Sequence, residues 1–348
     1  MSLPLVLLCS AAAALIAVGM SLVVGLALSL ARSWLRERAP AAQARVFFAA
    51  SVAPAVVTAV VMTAALSPTL GWIADHCHTM ADPHGHPHIC AHVGSQLPAI
   101  PIIVLGALFG ARMLFAFVSA SALALSAWRG KLLLARASEM PPPGCAALSD
   151  TLILPLDIPR GFVVGLFRPQ VFLTRGLLGP EAREHADAIV AHEKAHVRRG
   201  DPLWRVLANI ALAFHLPTVA SRVRQSLARA QERAADEVAA QTVGNREQVA
   251  SALVFVARHG LAKGQSAGVR MPRGAHAFGP TRESAAGAIH GTTDLEPRVR
   301  ALLNEPSRSH APGKTALAMP VAAFIVAVAG GAGIVHHGVE VVLGLLSH

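Results

Sequence analysis

The segment Ala191-His192-Glu193-Lys194-Ala195-His196 carries an H-E-x-x-H pattern. On a helix this spacing puts the two imidazoles on one face, one turn apart. Two neutral imidazole nitrogens so placed can hold one Zn²⁺ at about 2.0–2.1 Å. Glu193 lies beside that face, where it can take a proton from a water at the metal. With 17 His in the chain, chance placement gives roughly 0.03 such patterns, so the helical surroundings must support the reading. They do. Gly179-Pro180-Glu181 is a helix start, Ile189, Val190 and Val197 give an apolar side, and Gly200 is a helix end. Asp201-Pro202 then opens a further helix as N-cap and first position.

A catalytic zinc needs a third protein ligand and an open fourth position. Downstream, Gln231-Glu232-Arg233-Ala234-Ala235-Asp236-Glu237 lies in a polar helix predicted to start near Val219. Glu232 and Asp236 are four apart and share a face. Glu232 can ligate the metal, and Asp236 can hold a histidine by its second ring nitrogen. The alternative is a solvated helix in which these acids pair with Arg229 and Arg233.

Beyond this segment the composition is that of a membrane protein with a soluble part attached. Of the 348 residues 53% are hydrophobic and 14% charged, with a mean hydropathy of +0.51; soluble domains average roughly 25% charged. Disorder, collagen and a disulfide-rich secreted scaffold are excluded. Four stretches are long and apolar enough to cross a bilayer: Leu3–Leu30, Val46–Leu66, Pro101–Ala127 and Thr315–Val335. The first lacks a charged n-region and is too long for a signal-peptide core, so it is expected to be retained.

The net charge of +10 is concentrated in one block. Residues 1–127 hold five of the Lys and Arg, 128–314 hold 25, and 315–348 none. Arg32, Arg36, Arg38 and Arg45 lie between the first two spans, Arg129, Lys131 and Arg136 follow the third, and Lys314 precedes the fourth. The positive-inside rule then puts the first loop and the 128–314 block in the cytoplasm. The N-terminus, the 67–100 loop and the C-terminus are expected to face outward. There is no zinc-finger spacing and no continuous basic stripe, and no nucleic acid is expected as a partner. Arg112 stands inside the third span. Either it faces other helices or a wet cavity and has a partner, or it snorkels, or the span begins later than Pro101.

Within the cytoplasmic block, Phe162–Leu173 reads as two short strands joined by a turn at Arg168-Pro169. An edge strand there could align an extended peptide, or simply cover the His192 helix as core. Leu203–Ala220 is apolar but broken by Arg205, Asn209 and His215, and is expected to be a core or interface helix rather than a fifth span. The chain contains no tyrosine. A side-chain donor to the tetrahedral oxyanion would therefore be sought among His215, Arg198, Arg205 and Asn209.

The outer loop holds His76, His78, His84, His86, His88 and His92, with Cys77 and Cys90. Imidazole and thiolate suit zinc, copper or nickel, so this loop could take up an additional transition metal, with His336 and His337 contributing from the same side. Alternatively Cys77 and Cys90 form a disulfide in an oxidising compartment. Cys9 and Cys145 show no pairing logic. Residues 259–292, rich in Gly, Ala, Ser and Arg, read as a flexible linker or lid, and Asp294–Leu303 as a short helix.

The arrangement His192-Glu193-x-x-His196, Arg199-Gly200-Asp201, an apolar helix to Pro217 and Glu232-x-x-x-Asp236 resembles the gluzincin metallopeptidases. More specifically it resembles the membrane peptidases of the beta-lactam-sensor (Bla/Mec antirepressor) family, and Gly165–Leu173 resembles their hairpin before the metal-binding helix. The motifs cover about residues 150–245. The resemblance implies that His192, His196 and Glu232 bind zinc, that Glu193 is the general base and that Asp236 supports a ligand. It implies a mainly α membrane protein of about four transmembrane helices with a cytoplasmic α+β zinc domain, a short hairpin plus helices. The expected divisions are 1–127 for three spans, 128–258 for the peptidase domain, 259–314 for linker and short helix, and 315–348 for the fourth span and tail. Those sensors carry a large external penicillin-binding domain after the last span, where about a dozen residues follow here, so antibiotic sensing is not expected.

The expected function is a membrane zinc endopeptidase cutting at the cytoplasmic face, in regulatory proteolysis or signalling. Its partners would be the lipid bilayer and a protein or peptide substrate, such as a cytoplasmic repressor or the chain itself. The rivals are a non-catalytic metal-responsive signalling protein and a housekeeping membrane protease.

Overall fold

Three runs of apolar sequence become three long helices. Helix α1 spans Leu3–Leu30, α3 spans Pro40–Ala65 and α4 spans Ile100–Arg136; a five-residue helix, α2 (Arg32–Arg36), turns the chain between the first two. The computed structural model describes residues 3–66, 100–141, 148, 150–264, 276–277, 295–304, 338–339 and 341. The fourth expected span and the outer histidine loop lie outside them. All three long helices are apolar enough to cross a membrane. Large apolar side chains stay exposed along them, among them Leu26, Leu30, Leu108 and Phe115, an uncovered surface that suits lipid rather than water. The protein is a mainly α membrane protein. The third long helix extends past the expected span Pro101–Ala127. Its 37 residues reach about 55 Å at 1.5 Å per residue, enough to cross the bilayer and continue into the soluble part.

Beyond α4 come β1 (Thr151–Leu154), β2 (Gly161–Val164) and β3 (Gln170–Thr174), then α5 (Arg183–Arg199), α6 (Asp201–Ala211), α7 (Pro217–Val243) and α8 (Arg246–Gly264). A short β4 (His276–Ala277) and α9 (Leu295–Leu303) complete the described elements. The sheet order is β1-β3-β2-β4. The expected hairpin is present, β2 running antiparallel to β3 with Phe162 opposite Phe172. The sheet goes further than the sequence pattern did: β1 lies parallel to β3, and β4 is antiparallel to β2.

Both faces of the hairpin are buried, which explains its unbroken apolar run. Val163, Val171 and Leu173 pack with Ile189 and Val190 of α5 and with Leu253 and Val256 of α8. Phe162, Val164 and Phe172 face the other way, where the two rings stack 5.8 Å apart near Leu134 of α4. Gly161 lets β2 lie close on α5. A Cβ there would stand 2.8 Å from Ile189 Cγ2 and 3.2 Å from Glu193 Cγ.

The soluble helices pack directly onto the spans. Ala44 of α3 meets Ala208 of α6 and Leu227 and Ala230 of α7, and Phe48 meets Trp204 edge-on at 4.5 Å. The apolar stretch after Asp201 is not a fifth span: α6 ends at Ala211 and α7 starts at Pro217. Arg112 has a partner, donating to the carbonyl of His215 at 2.6 Å, so the interior reading of that charge is the correct one. The basic loop after α1 and the basic end of α4 lie at the end of the spans that carries the sheet and α5–α9. Lys131 donates to the Arg168 carbonyl at 2.6 Å, and Arg38 shares a cavity with Arg233 of α7.

Candidate metal centre

Helix α5 is amphipathic, and its buried side carries His192, Glu193 and His196 together with Ile189. It ends where expected, at Gly200 with φ +66°, a left-handed conformation that suits glycine. That turn redirects the chain into α6 and across to α7, whose buried face holds Gln231 and Asp236.

The two helices meet at three donor groups. His192 Nε2 and His196 Nε2 are 3.1 Å apart, His192 Nε2 is 3.6 Å from Glu232 Oε2, and His196 Nε2 is 3.7 Å from Glu232 Oε1. Ligands at about 2.05 Å on a tetrahedral zinc stand about 3.3–3.4 Å from one another. The observed separations bracket that figure, and the three ligand atoms lie within 4.8 Å of each other. Two imidazoles and a carboxylate are also a donor set that zinc accepts. The residues fit the ion.

A ring of charges orients the donors. His192 Nδ1 is 3.0 Å from Asp236 Oδ1. His196 Nδ1 is 2.7 Å from Asp201 Oδ2, which Arg199 Nε approaches at 3.2 Å. Asp201 therefore does not act as the helix cap expected from sequence. Gly200 occupies the N-cap, and the Asp201 carboxylate is turned back to His196. The sequence signal was present in the short distance from His196 across one glycine turn, but a capping residue and a ligand support have the same local appearance.

Arg205 of α6 donates to Glu232 Oε1 at 2.9 Å and to Gln231 Oε1 at 2.6 Å. Arg298 of α9 binds both oxygens of Asp236, at 2.8 and 2.7 Å, and reaches Glu232 at 3.3 Å. Nothing in the sequence singled out Arg298, which lies 62 positions beyond its partner. Glu232 and Asp236 thus pair across elements and not along a solvated helix. Of the four candidate oxyanion donors, Arg205 is the one that contacts a member of the donor set. His215 instead sits among Ser21, Ala50 and Ser51, and Asn209 accepts from Arg224.

These contacts set the protonation pattern. Burial opposes charge on His192, but hydrogen bonds with Asp236 and Glu232 outweigh it and push its pKa up to about 9. Burial dominates at His196, whose pKa is lowered. Burial would raise Glu232 as well, yet the bond with His192 and the charges of His196, Arg298 and Arg205 hold it well below the usual carboxylate range. Asp236 is lowered in the same way, burial being overcome chiefly by Arg298. Both carboxylates are thus ionised at neutral pH.

A family model described as BlaR1 peptidase M56 matches residues 16–271, more than half of the chain. The chain belongs to the BlaR1 peptidase M56 family. No curated protein and no solved structure matches it. The M56 match begins within α1 and runs through α8, so it includes the spans as well as the H-E-x-x-H helix. Membership makes the chain a membrane metallopeptidase, and His192, His196 and Glu232 are a group that could hold its metal. The outer-loop positions His76, His78, His84, His86, His88 and His92 lie outside the described residues, as do Cys77, Cys90, Cys145, His336 and His337.

Proposed function

We propose that this M56 protein is a zinc-dependent endopeptidase acting at the cytoplasmic face of a bacterial membrane. In this reading His192, His196 and Glu232 hold the ion and Glu193 is the general base, with Asp236 holding His192 in place. The observation that carries it is the near-tetrahedral spacing of three donors on two helices, with Glu193 fully buried in the turn between the two histidines. When bound, zinc would polarise the scissile carbonyl and acidify a water beside it. Glu193 would accept that water's proton and pass it to the leaving amine. The carboxylates of Asp236 and Asp201 would fix the ring orientations, leaving both Nε2 atoms turned to the centre. Arg205 is placed to steady Glu232 and the developing negative charge.

Strand β2 supplies the substrate geometry. It lies against Glu193 at Gly161, and its outer edge pairs with the chain's own His276–Ala277, antiparallel, with Phe162 opposite Ala277. An extended peptide could bind the same edge by main-chain hydrogen bonds, with β-strand addition fixing its direction. Substrates in this reading are a cytoplasmic repressor or the protein's own linker. The division into spans at 1–127, peptidase domain at 128–258, linker at 259–314 and a last span at 315–348 belongs to the same proposal, as do the outward-facing termini and a second transition metal on the outer histidine loop.

The test uses the full chain in detergent. Glu193→Gln should keep its zinc and lose cleavage of a peptide copying residues around His276–Ala277, by about 10²–10⁴-fold for a general base. Unchanged cleavage in that variant would defeat the assignment. Zinc uptake without any cleavage of peptides or of the chain itself would favour the signalling rival.

A further inference from the structure

The loop that joins the first two spans forms one wall of a cavity of about 180 Å³, the room of about six waters at roughly 30 Å³ each. Arg36 and Arg38 reach it from that loop, Arg233 from α7, Arg246 from the start of α8 and Arg298 from α9. Two acids, Asp236 and Glu237, also line it. Both are engaged: Asp236 by Arg298 and Glu237 by Arg246 at 2.9 Å. Arg36, Arg38 and Arg233 form no ion pair among the described residues. Three guanidinium groups therefore converge on a hollow in which both acids among the described lining residues are already engaged. Their mutual repulsion costs stability unless an anion sits between them.

The depth of the hollow says what kind of anion. Arg36 and Arg38 follow Leu30, the end of the first apolar span, within a few residues, and Pro40 opens the second. Trp34 between them is 44% exposed, and Arg38 stacks over its ring at 4.4 Å. An exposed indole at the end of a span marks the headgroup level of the bilayer. Guanidinium forks match phosphate oxygens, and basic pockets between membrane helices at this level are suited to anionic headgroups.

We propose that this cavity is a phosphate-binding site. The phosphate is that of an anionic phospholipid headgroup or a soluble phosphate, and both present the same oxygens to Arg36, Arg38 and Arg233. Occupation joins the span-linking loop to α7 and α9 across the cavity. Because Arg298 stands in its wall and also grips Asp236, the bound anion holds α9 against the helix that carries Glu232. This proposal requires neither the metal nor peptidase activity, so it stands or falls apart from the functional reading above.

The experiment compares the full chain in nanodiscs of phosphatidylcholine with discs containing phosphatidylglycerol, and in phosphatidylcholine with inorganic phosphate added. Thermal unfolding is followed by tryptophan fluorescence after chelation of metal. The proposal expects a higher Tm with anion. In R38Q/R233Q the half-maximal anion concentration should rise about tenfold or more. The charge-matched pair R129Q/R136Q, on the exposed end of α4, should respond like the parent. Stabilisation by phosphatidylglycerol alone identifies the lipid, and stabilisation by both identifies a site open to soluble phosphate. An equal loss in the two double variants, or no response in folded parent protein, would overturn the proposal. Should R38Q/R233Q fail to fold, R233Q alone gives the same comparison.

Discussion

Arg298 clasps Asp236 with two nitrogens, at 2.7 and 2.8 Å, and Asp236 in turn stands 3.0 Å from His192 Nδ1. A guanidinium from the far side of the 259–292 segment therefore completes the support of a histidine on α5. Removing it would leave the buried carboxylate of Asp236 without its cation and Glu232 with Arg205 alone. Breaking one side of a buried pair costs about 3–5 kcal/mol. Arg298→Gln should lower the Tm of metal-free protein substantially and weaken zinc binding by about 10–100-fold. Arg298→Lys, which keeps the charge but not the fork, should recover part of the stability and less of the zinc affinity. Equal behaviour of Gln and wild type by calorimetry would contradict this role.

Asp201 should matter as much as Asp236. Each carboxylate stands against the outer ring nitrogen of one histidine, at 2.7 and 3.0 Å. Asp201→Asn is expected to lower zinc affinity about 10–100-fold, measured by competition with a chromophoric chelator. Were Asp201 only a helix cap, the same substitution would leave zinc affinity unchanged, because Asn caps as well as Asp.

The pH dependence of metal uptake follows from His192. Its pKa in the metal-free fold is raised to about 9, so at neutral pH a proton occupies the nitrogen that zinc needs. Zinc binding should release that proton, and apparent affinity should rise about tenfold per pH unit until about pH 9. Stability runs the other way. A raised histidine contributes fully below its unfolded value, and that contribution is lost as pH rises through about 9. Glu232 and Asp236, both depressed, contribute above their unfolded values and lose it as pH falls through the folded ones. Calorimetry in buffers of different ionisation enthalpy measures the released proton. Uptake with no proton released near neutral pH would rule this scheme out.

Gly161 offers a test of the β2 edge. An added Cβ would crowd Ile189 and Glu193, and overpacking of this kind costs typically about 1–3 kcal/mol. Gly161→Val should lift β2 from α5, lowering peptide cleavage more than it lowers zinc content. A variant with unchanged cleavage would show that β2 does not set the substrate's position.

The sequence revealed the centre of the site more fully than its surroundings, for a physical reason. His192, Glu193 and His196 are tied by a single helical repeat, and Glu232 and Asp236 by another, so one-dimensional spacing specifies each face. The pairing of those two faces rests on tertiary packing, as does the approach of Arg298 from 62 positions away. Asp201 was visible as a residue but not as a role, because the same Asp at a helix start can cap a backbone or turn back to a ring. Among the spans, apolar length located α1 and α3 closely. The span read as Pro101–Ala127 lies within α4, and the helix continues beyond it through Arg129 and Arg136. The hairpin was legible from its two apolar runs around Arg168-Pro169, whereas the parallel pairing of β1 with β3 depends on contacts that no local period encodes.

The most direct test of the central claim is the zinc content of the full chain purified in detergent with the outer-loop histidines replaced by serine. It is to be compared with the same protein carrying His196→Ala and Glu232→Ala. The account predicts about one zinc per chain in the first, as a three-ligand site requires, and none in the second. Folded protein that binds no zinc, or that keeps it after both ligands are removed, would contradict it.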